Sequence, residues 1–276
     1  MRDIVFIGGG NMAIALIGGM TAAGSPAARF RVVEPLAAQR EKLATRFPGA
    51  RLHEAPDADV VRGAGLVVLA VKPQQIREAA AALAPFVAGV PAVLSIAAGT
   101  RIADLSRWLG GYARIVRAMP NTPALVGAGI SGLYASPDVA DEAREAAETL
   151  LRAGGDVLRV DREETLDPVT GVSGSGPAYV FYVLEGLEEA ARTMGFAAAD
   201  ARRLALETVA GAVKLAQASG ADFATLRAQV TSRGGTTERG VAALEAGDVK
   251  GALLRAVQAA TLRATEMGAE SGRERS

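Results

Sequence analysis

Along the first ~160 residues, apolar positions fall in short unbroken runs, and stretches with helical spacing separate them. The runs Ile4–Ile7, Phe30–Val33, Leu66–Val71, Ala92–Ile96, Ile115–Ala118, Ile130–Tyr134 and Val157–Val160 are read as strands. A further short strand is expected near His53. Helical spacing marks Asn11–Ala23, Ala37–Arg46, Gln75–Leu83, Ile102–Leu109 and Val139–Arg152. The first strands are apolar on both faces, which suits a parallel sheet with helices on either side.

After Asp161 the pattern changes. Alanine, leucine, arginine and glutamate dominate, and strand signal nearly vanishes. Helices are expected at Ala178–Met194, Asp200–Ser219, Thr237–Ala246 and Lys250–Met267, with Gly195 and Gly220 at C-terminal cap positions. Segments such as Leu204-Ala205-Leu206 and Val209–Val213 are apolar around much of the helix. They imply burial on several sides, against a second subunit or within a bundle core. The chain thus divides into an α/β, Rossmann-like domain over 1–161 and an all-α domain over 162–276. The polar tail Glu270–Ser276 is expected to fray.

Composition narrows the chemistry. Lys+Arg and Asp+Glu each number 30 in 276 residues, so no basic excess points to nucleic acid or an anionic membrane. The chain has no cysteine, which removes disulfides, thiol catalysis and cysteine-ligated zinc. No apolar run is long enough for a membrane span and no export signal is visible, so a cytoplasmic protein is expected. The single histidine, His53, is expected at the surface, and no metal-ligand spacing is present.

Two glycine-rich turns carry the candidate chemistry. Gly8-x-Gly10-x-x-Ala13 follows a strand and opens a helix, the context in which this pattern cradles a dinucleotide pyrophosphate. A plain glycine-rich turn is the alternative. Glu34 closes the second strand, where an acid can bind the adenosine ribose hydroxyls and favour NAD over NADP. Arg40 and Lys42 nearby could instead meet a 2′-phosphate, and the sequence leaves the choice open. Ala70-Val71-Lys72-Pro73 and Ser95-Ile96-Ala97-Ala98-Gly99 close the next strands at the same sheet edge. Lys72 reads as a ribose or phosphate contact or as a surface charge. The loop Arg117–Pro123, stiffened by two prolines, walls the nicotinamide site or merely connects strands. The second turn is Gly234-Gly235-Thr236-Thr237-Glu238. Two glycines allow a tight turn, so that successive N–H groups converge on a small anion beside the threonine hydroxyls.

These residues resemble the pyrroline-5-carboxylate reductase family over nearly the full length. The resemblance is carried by Ile7–Met12, Ala70–Pro73, Met119–Pro123, Thr170–Tyr179 and Val230–Thr237. It implies NADP(H) or NAD(H) held by Ile7, Gly8, Gly9, Gly10, Asn11, Met12, Glu34, Asp57, Ala70, Val71, Lys72, Pro73, Ala97, Ala98 and Asn121. It implies a cyclic imino acid held by Ser175, Gly176, Gly234, Gly235, Thr236 and Thr237, with Thr237 as the catalytic residue and no metal. It further implies a dimer formed through the helical domain, assembled in some relatives into a ring of dimers. Three positions depart from the family pattern. Arg233 replaces the usual proline, Glu34 a small polar residue or asparagine, and Asp57 an asparagine.

Other readings remain at this stage. A β-hydroxyacid dehydrogenase has a similar layout but relies on a helix lysine followed by asparagine. Lys214 has Ala218 in that place. A deazaflavin-linked reductase shares only the N-terminal half. A non-catalytic NAD(P)H sensor needs no carboxylate cradle.

Overall fold

In a computed structural model the protein is described from residue 2 to residue 273. The N-terminal elements run β1 (Asp3–Ile7), α1 (Asn11–Ala22), β2 (Phe30–Val33), α2 (Ala37–Arg46), β3 (Arg51–His53) and α3 (Ala58–Val61). They continue with β4 (Ala64–Leu69), α4 (Ile76–Leu83), β5 (Val93–Ser95), α5 (Ile102–Trp108), β6 (Ile115–Met119), β7 (Gly129–Ala135), α6 (Asp141–Arg152) and β8 (Gly155–Arg159). The strands form one sheet in the order β3-β2-β1-β4-β5-β6-β7-β8.

Side chains alternate along the strands and build a core on each face. Ile4 and Phe6 of β1 pack with Leu16 and Ile17 of α1, Leu43 of α2 and Leu150 of α6. Val5 and Ile7 face the other way, towards Ile76 and Leu83 of α4 and Leu105 of α5. Each such fully buried side chain contributes about 1.5–3 kcal/mol. The chain leaves β1 for β2 on one side and returns to β4 on the other, so a crevice opens at the carboxyl ends of β1 and β4.

Six of the seven strand pairs are parallel, and β6·β7 is antiparallel. A parallel return needs a crossover of a dozen or more residues. The link from β6 to β7 holds only a short 3₁₀ turn, Thr122–Val126, which sends the chain straight back.

Helical elements follow the sheet: α7 (Leu166–Val169), a π turn (Thr170–Gly174), α8 (Gly176–Thr193), α9 (Ala198–Ser219), α10 (Phe223–Gln229), α11 (Thr236–Ala246) and α12 (Val249–Arg273). Gly195 (φ 95°) and Gly220 (φ 65°) adopt the left-handed conformation that ends α8 and α9. Asp222 caps α10, a helix too short to show in the apolar spacing, by accepting the Thr225 N–H at 2.9 Å. The expected fraying does not begin at Glu270: α12 runs through Arg273, and Arg263 bonds Glu270 at 2.7 and 3.0 Å. The remainder of that tail, 274–276, lies outside the described residues.

The chain separates into two compact units, Met1–Ser175 with Gln258–Ser276, and Gly176–Val257. In the second unit Phe181, Tyr182 and Leu187 of α8 and Leu204, Leu206 and Val213 of α9 are exposed. No residue of α8 is buried. Among the described residues, no helix is long and apolar enough to cross a membrane.

The first unit also buries an ion cluster. Arg117 of β6 donates to Glu163 at 3.0 Å and lies 3.8 Å from Asp167. Arg101 pairs with Asp167, and the Thr265 hydroxyl of α12 donates to the same carboxylate at 2.9 Å. Burial pulls the Arg117 guanidinium below the usual arginine range. Glu163 and Asp167 oppose that pull, and Arg101 adds to it.

Candidate functional site

The β1–α1 turn has the geometry a pyrophosphate requires. Gly8 has φ 102°, and a Cβ there would stand 2.8 Å from the Ala70 carbonyl oxygen and 2.9 Å from Val71 Cγ1. Only glycine fits between the two strand ends. A Cβ on Gly9 would meet Leu43 Cδ1 at 2.5 Å. Gly10, by contrast, faces open space with nothing within 4 Å. It is the N-cap of α1, with no side chain capping the helix, so the first helical amides point into that space. Ala13 is fully buried and lets α1 lie close to the sheet. A bare helix N-terminus beside an unobstructed glycine matches a diphosphate, whose charge the helix dipole favours. The site therefore fits the nucleotide.

Glu34 lies just past β2 and is 9% exposed. Its Oε2 accepts the Gly9 N–H at 3.0 Å, and its Oε1 accepts the Leu36 N–H at 3.0 Å. Gln39 Nε2 donates to the Gly9 carbonyl at 2.6 Å. Arg40 Nη1 donates to the carbonyls of Glu34 and Pro35, each at 2.7 Å. Asp57 is exposed and caps α3 by accepting the Val60 N–H at 2.7 Å. His53 is half-buried on β3 rather than free at the surface, and its carbonyl accepts the Glu34 N–H at 2.9 Å.

At the neighbouring strand ends, Ala70 and Val71 are half-buried and Lys72 is exposed. Ala97 is buried and Ala98 half-buried after β5, and Gly99 turns the chain at φ 69°. The Asn121 side chain spans two backbone segments: its Nδ2 donates to the Ser173 carbonyl at 3.2 Å, and its Oδ1 accepts the Ile130 N–H at 3.0 Å. Those bonds make it a brace for the loop. Arg117, at the head of that loop in the sequence, is held in the ion cluster.

The late turn is exposed. Gly234 has φ 73°, and Gly235 is the N-cap of α11 with no side-chain cap. Thr236 and Thr237 are both exposed, as is Arg233. The expected row of converging amides is partly occupied by the chain itself. Gly234 N–H donates to Glu238 Oε2 at 2.7 Å, and Gly235 N–H to the Ser232 carbonyl at 3.0 Å. The donors available to an anion are thus the amides that open α11 and the two hydroxyls. Ser175 ends the first unit, its N–H donating to the Thr170 carbonyl at 2.8 Å, and Gly176 begins the second, with open space where its Cβ would be.

Sequence reasoning assigned no role to Gln39, showed Glu238 only as part of the turn, and did not point to the ion cluster. A Gln or Glu three residues into a helix pattern signals a capping contact, so Glu238 carried a readable clue. The cluster joins residues far apart in the chain and has no such signal.

Comparison with known proteins adds to this geometry. Residues 163–267 match the family described as pyrroline-5-carboxylate reductase dimerisation, and residues 3–99 one described as NADP oxidoreductase, coenzyme F420-dependent. The chain is 42% identical over 269 residues to the pyrroline-5-carboxylate reductase of Pseudomonas aeruginosa, covering 98% of each chain. A solved pyrroline-5-carboxylate reductase from Coxiella burnetii superposes with a TM-score of 0.90 at 37% identity, covering 96% of this chain and 98% of that one. The Plasmodium falciparum enzyme, solved with NADP bound, gives 0.84 at 26% identity, covering 97% and 98%.

Proposed function

The chain belongs to the pyrroline-5-carboxylate reductase family, and from that premise we propose how its residues divide the work. The reaction is the NAD(P)H-dependent reduction of the cyclic imine of 1-pyrroline-5-carboxylate to L-proline, a step of proline synthesis. Nucleotide binding falls to 1–161, and substrate binding and self-association to 162–276. A cytoplasmic setting, and the absence of nucleic-acid or membrane partners, belong to the same proposal. So does a dimer, extended to a ring of dimers, built on the exposed apolar faces of α8 and α9.

The observation that carries the substrate assignment is the uncapped start of α11, flanked by Gly234 at positive φ and by two exposed threonine hydroxyls. The amides of Thr236 and Thr237 take the substrate carboxylate, where the positive end of the helix dipole adds to their pull. The Thr237 hydroxyl bonds the ring nitrogen, since a hydroxyl both donates and accepts. Ser175 and Gly176 complete the substrate set. The Gly8–Met12 turn seats the pyrophosphate, and Ala70–Pro73, Ala97, Ala98 and Asn121 shape the rest of the nucleotide site. A bound dihydronicotinamide supplies the hydride for the imine carbon. The chain's task is to fix the orientation and surround the imine with preformed dipoles. Water supplies the proton, so no strong acid is needed.

The protein is mixed with 1-pyrroline-5-carboxylate and NADH or NADPH, and reduced-nicotinamide absorbance is followed. Saturable oxidation with one proline formed per nucleotide is expected. Nucleotide binding without oxidation would favour the sensor, and oxidation with β-hydroxyacids alone would favour the dehydrogenase.

A further inference from the structure

We propose that Glu34 determines cofactor specificity and makes the nucleotide site select the dinucleotide without a 2′-phosphate, NADH over NADPH. The inference rests on the reading that the β1–α1 turn seats the pyrophosphate.

In an open α/β sheet the adenosine ribose lies beyond the carboxyl end of β2. Glu34 occupies that position in the sequence and, at 9% exposed, is nearly buried. Its carboxylate is fixed at both oxygens, by the Gly9 and Leu36 amides at 3.0 Å each. Four lone-pair sites are present on a carboxylate, and these bonds use two. One acceptor site per oxygen is left for a pair of ribose hydroxyls. A 2′-phosphate placed there would put two anions at near contact distance. Moving Glu34 aside would leave the buried Gly9 amide without its acceptor, which is costly.

The cation that could offset this repulsion is committed elsewhere. Arg40 gives Nη1 to the carbonyls of Glu34 and Pro35 at 2.7 Å each, and its Nη2 lies 3.8 Å from Glu54. Reaching a phosphate with Nη1 would give up those carbonyl bonds, and Nη2 already faces the Glu54 carboxylate. Glu54 and Asp57 add negative charge after β3, the strand paired with β2. Lys42 is exposed, and among the described residues no ion pair or hydrogen bond holds it at this edge.

Calorimetric titration tests this on the full-length protein, using ADP-ribose and 2′-phospho-ADP-ribose as probes. ADP-ribose is expected to bind at least about tenfold more tightly, the scale of one unit-charge repulsion at close range. The gap is expected to narrow as salt rises, because screening weakens repulsion. Glu34→Gln keeps an oxygen for one backbone amide and removes the charge, so it is expected to weaken ADP-ribose and strengthen its 2′-phosphate. Equal or tighter wild-type binding of the phosphorylated probe would overturn the proposal. Equal weakening of both probes in Glu34→Gln would also overturn it and leave Glu34 a loop clamp. Failure of both probes to bind the wild-type protein would remove the nucleotide-site reading itself.

Discussion

Thr237→Ala is expected to lower kcat for imine reduction about tenfold to a hundredfold, while the dissociation constant for the nucleotide stays within about twofold. The magnitude is that of one hydrogen bond to a charged or charging group, about 1.5–3 kcal/mol. Thr237 is exposed at the second position of α11, and its side chain caps no helix. Removing the hydroxyl takes away a neutral donor and acceptor beside the cradle but leaves the backbone amides that would hold the carboxylate. KM should therefore change less than kcat. Thr237→Ser keeps the hydroxyl and should recover most of the rate. Steady-state kinetics with a separate nucleotide titration checks the split. Parallel loss of nucleotide affinity would show that the residue serves the cofactor or the fold instead.

Asp167→Ala is expected to destabilise the protein by about 3 kcal/mol, a drop in Tm of roughly 6–12 °C. The Asp167 side chain is 4% exposed, as is that of Arg117. It accepts from Arg101 and from Thr265 of α12, and faces Arg117 at 3.8 Å. Without it, Arg101 loses its carboxylate, and two guanidinium groups remain close together in a buried setting, with Glu163 alone to balance them. Breaking a buried pair from one side costs more than the pair contributes, because the orphaned charge keeps its desolvation penalty. Asp167→Asn retains acceptors for Thr265 and one arginine and should lose less. Thermal melting of the three proteins decides the matter. A shift of a degree or two in Asp167→Ala would mean that solvent reaches the cluster freely.

The sheet was legible because its strands are apolar runs of the right length, and β1, β2 and β6 match their expected positions to within a residue or so. β4 is set two residues earlier than expected, at Ala64–Leu69. Its apolar run continues into Ala70 and Val71; the Ala70 N–H still bonds the Ile7 carbonyl at 2.8 Å, and the two residues then close over Gly8. The one-turn helix α3 and the short α10 escaped notice because neither spans enough residues to set a period. The glycine turns were readable as motifs. What the motifs could not convey was who satisfies each amide. Glu34 was expected to face a ribose, yet it also holds the Gly9 N–H. Gly234 was expected to offer its N–H outward, yet Glu238 takes it. Such bonds depend on side-chain rotamers and on partners from other elements, and residue spacing does not encode them.

In the proposed function, the turn opening α11 holds the carboxylate of the cyclic substrate. A crystal structure of the protein with oxidised nucleotide and L-proline tests it most directly. The carboxylate is expected about 3 Å from the amide nitrogens of Thr236 and Thr237, with the proline Cδ about 3–3.5 Å from nicotinamide C4. Proline lodged away from that turn, or reacting carbons too far apart for direct transfer, would contradict it.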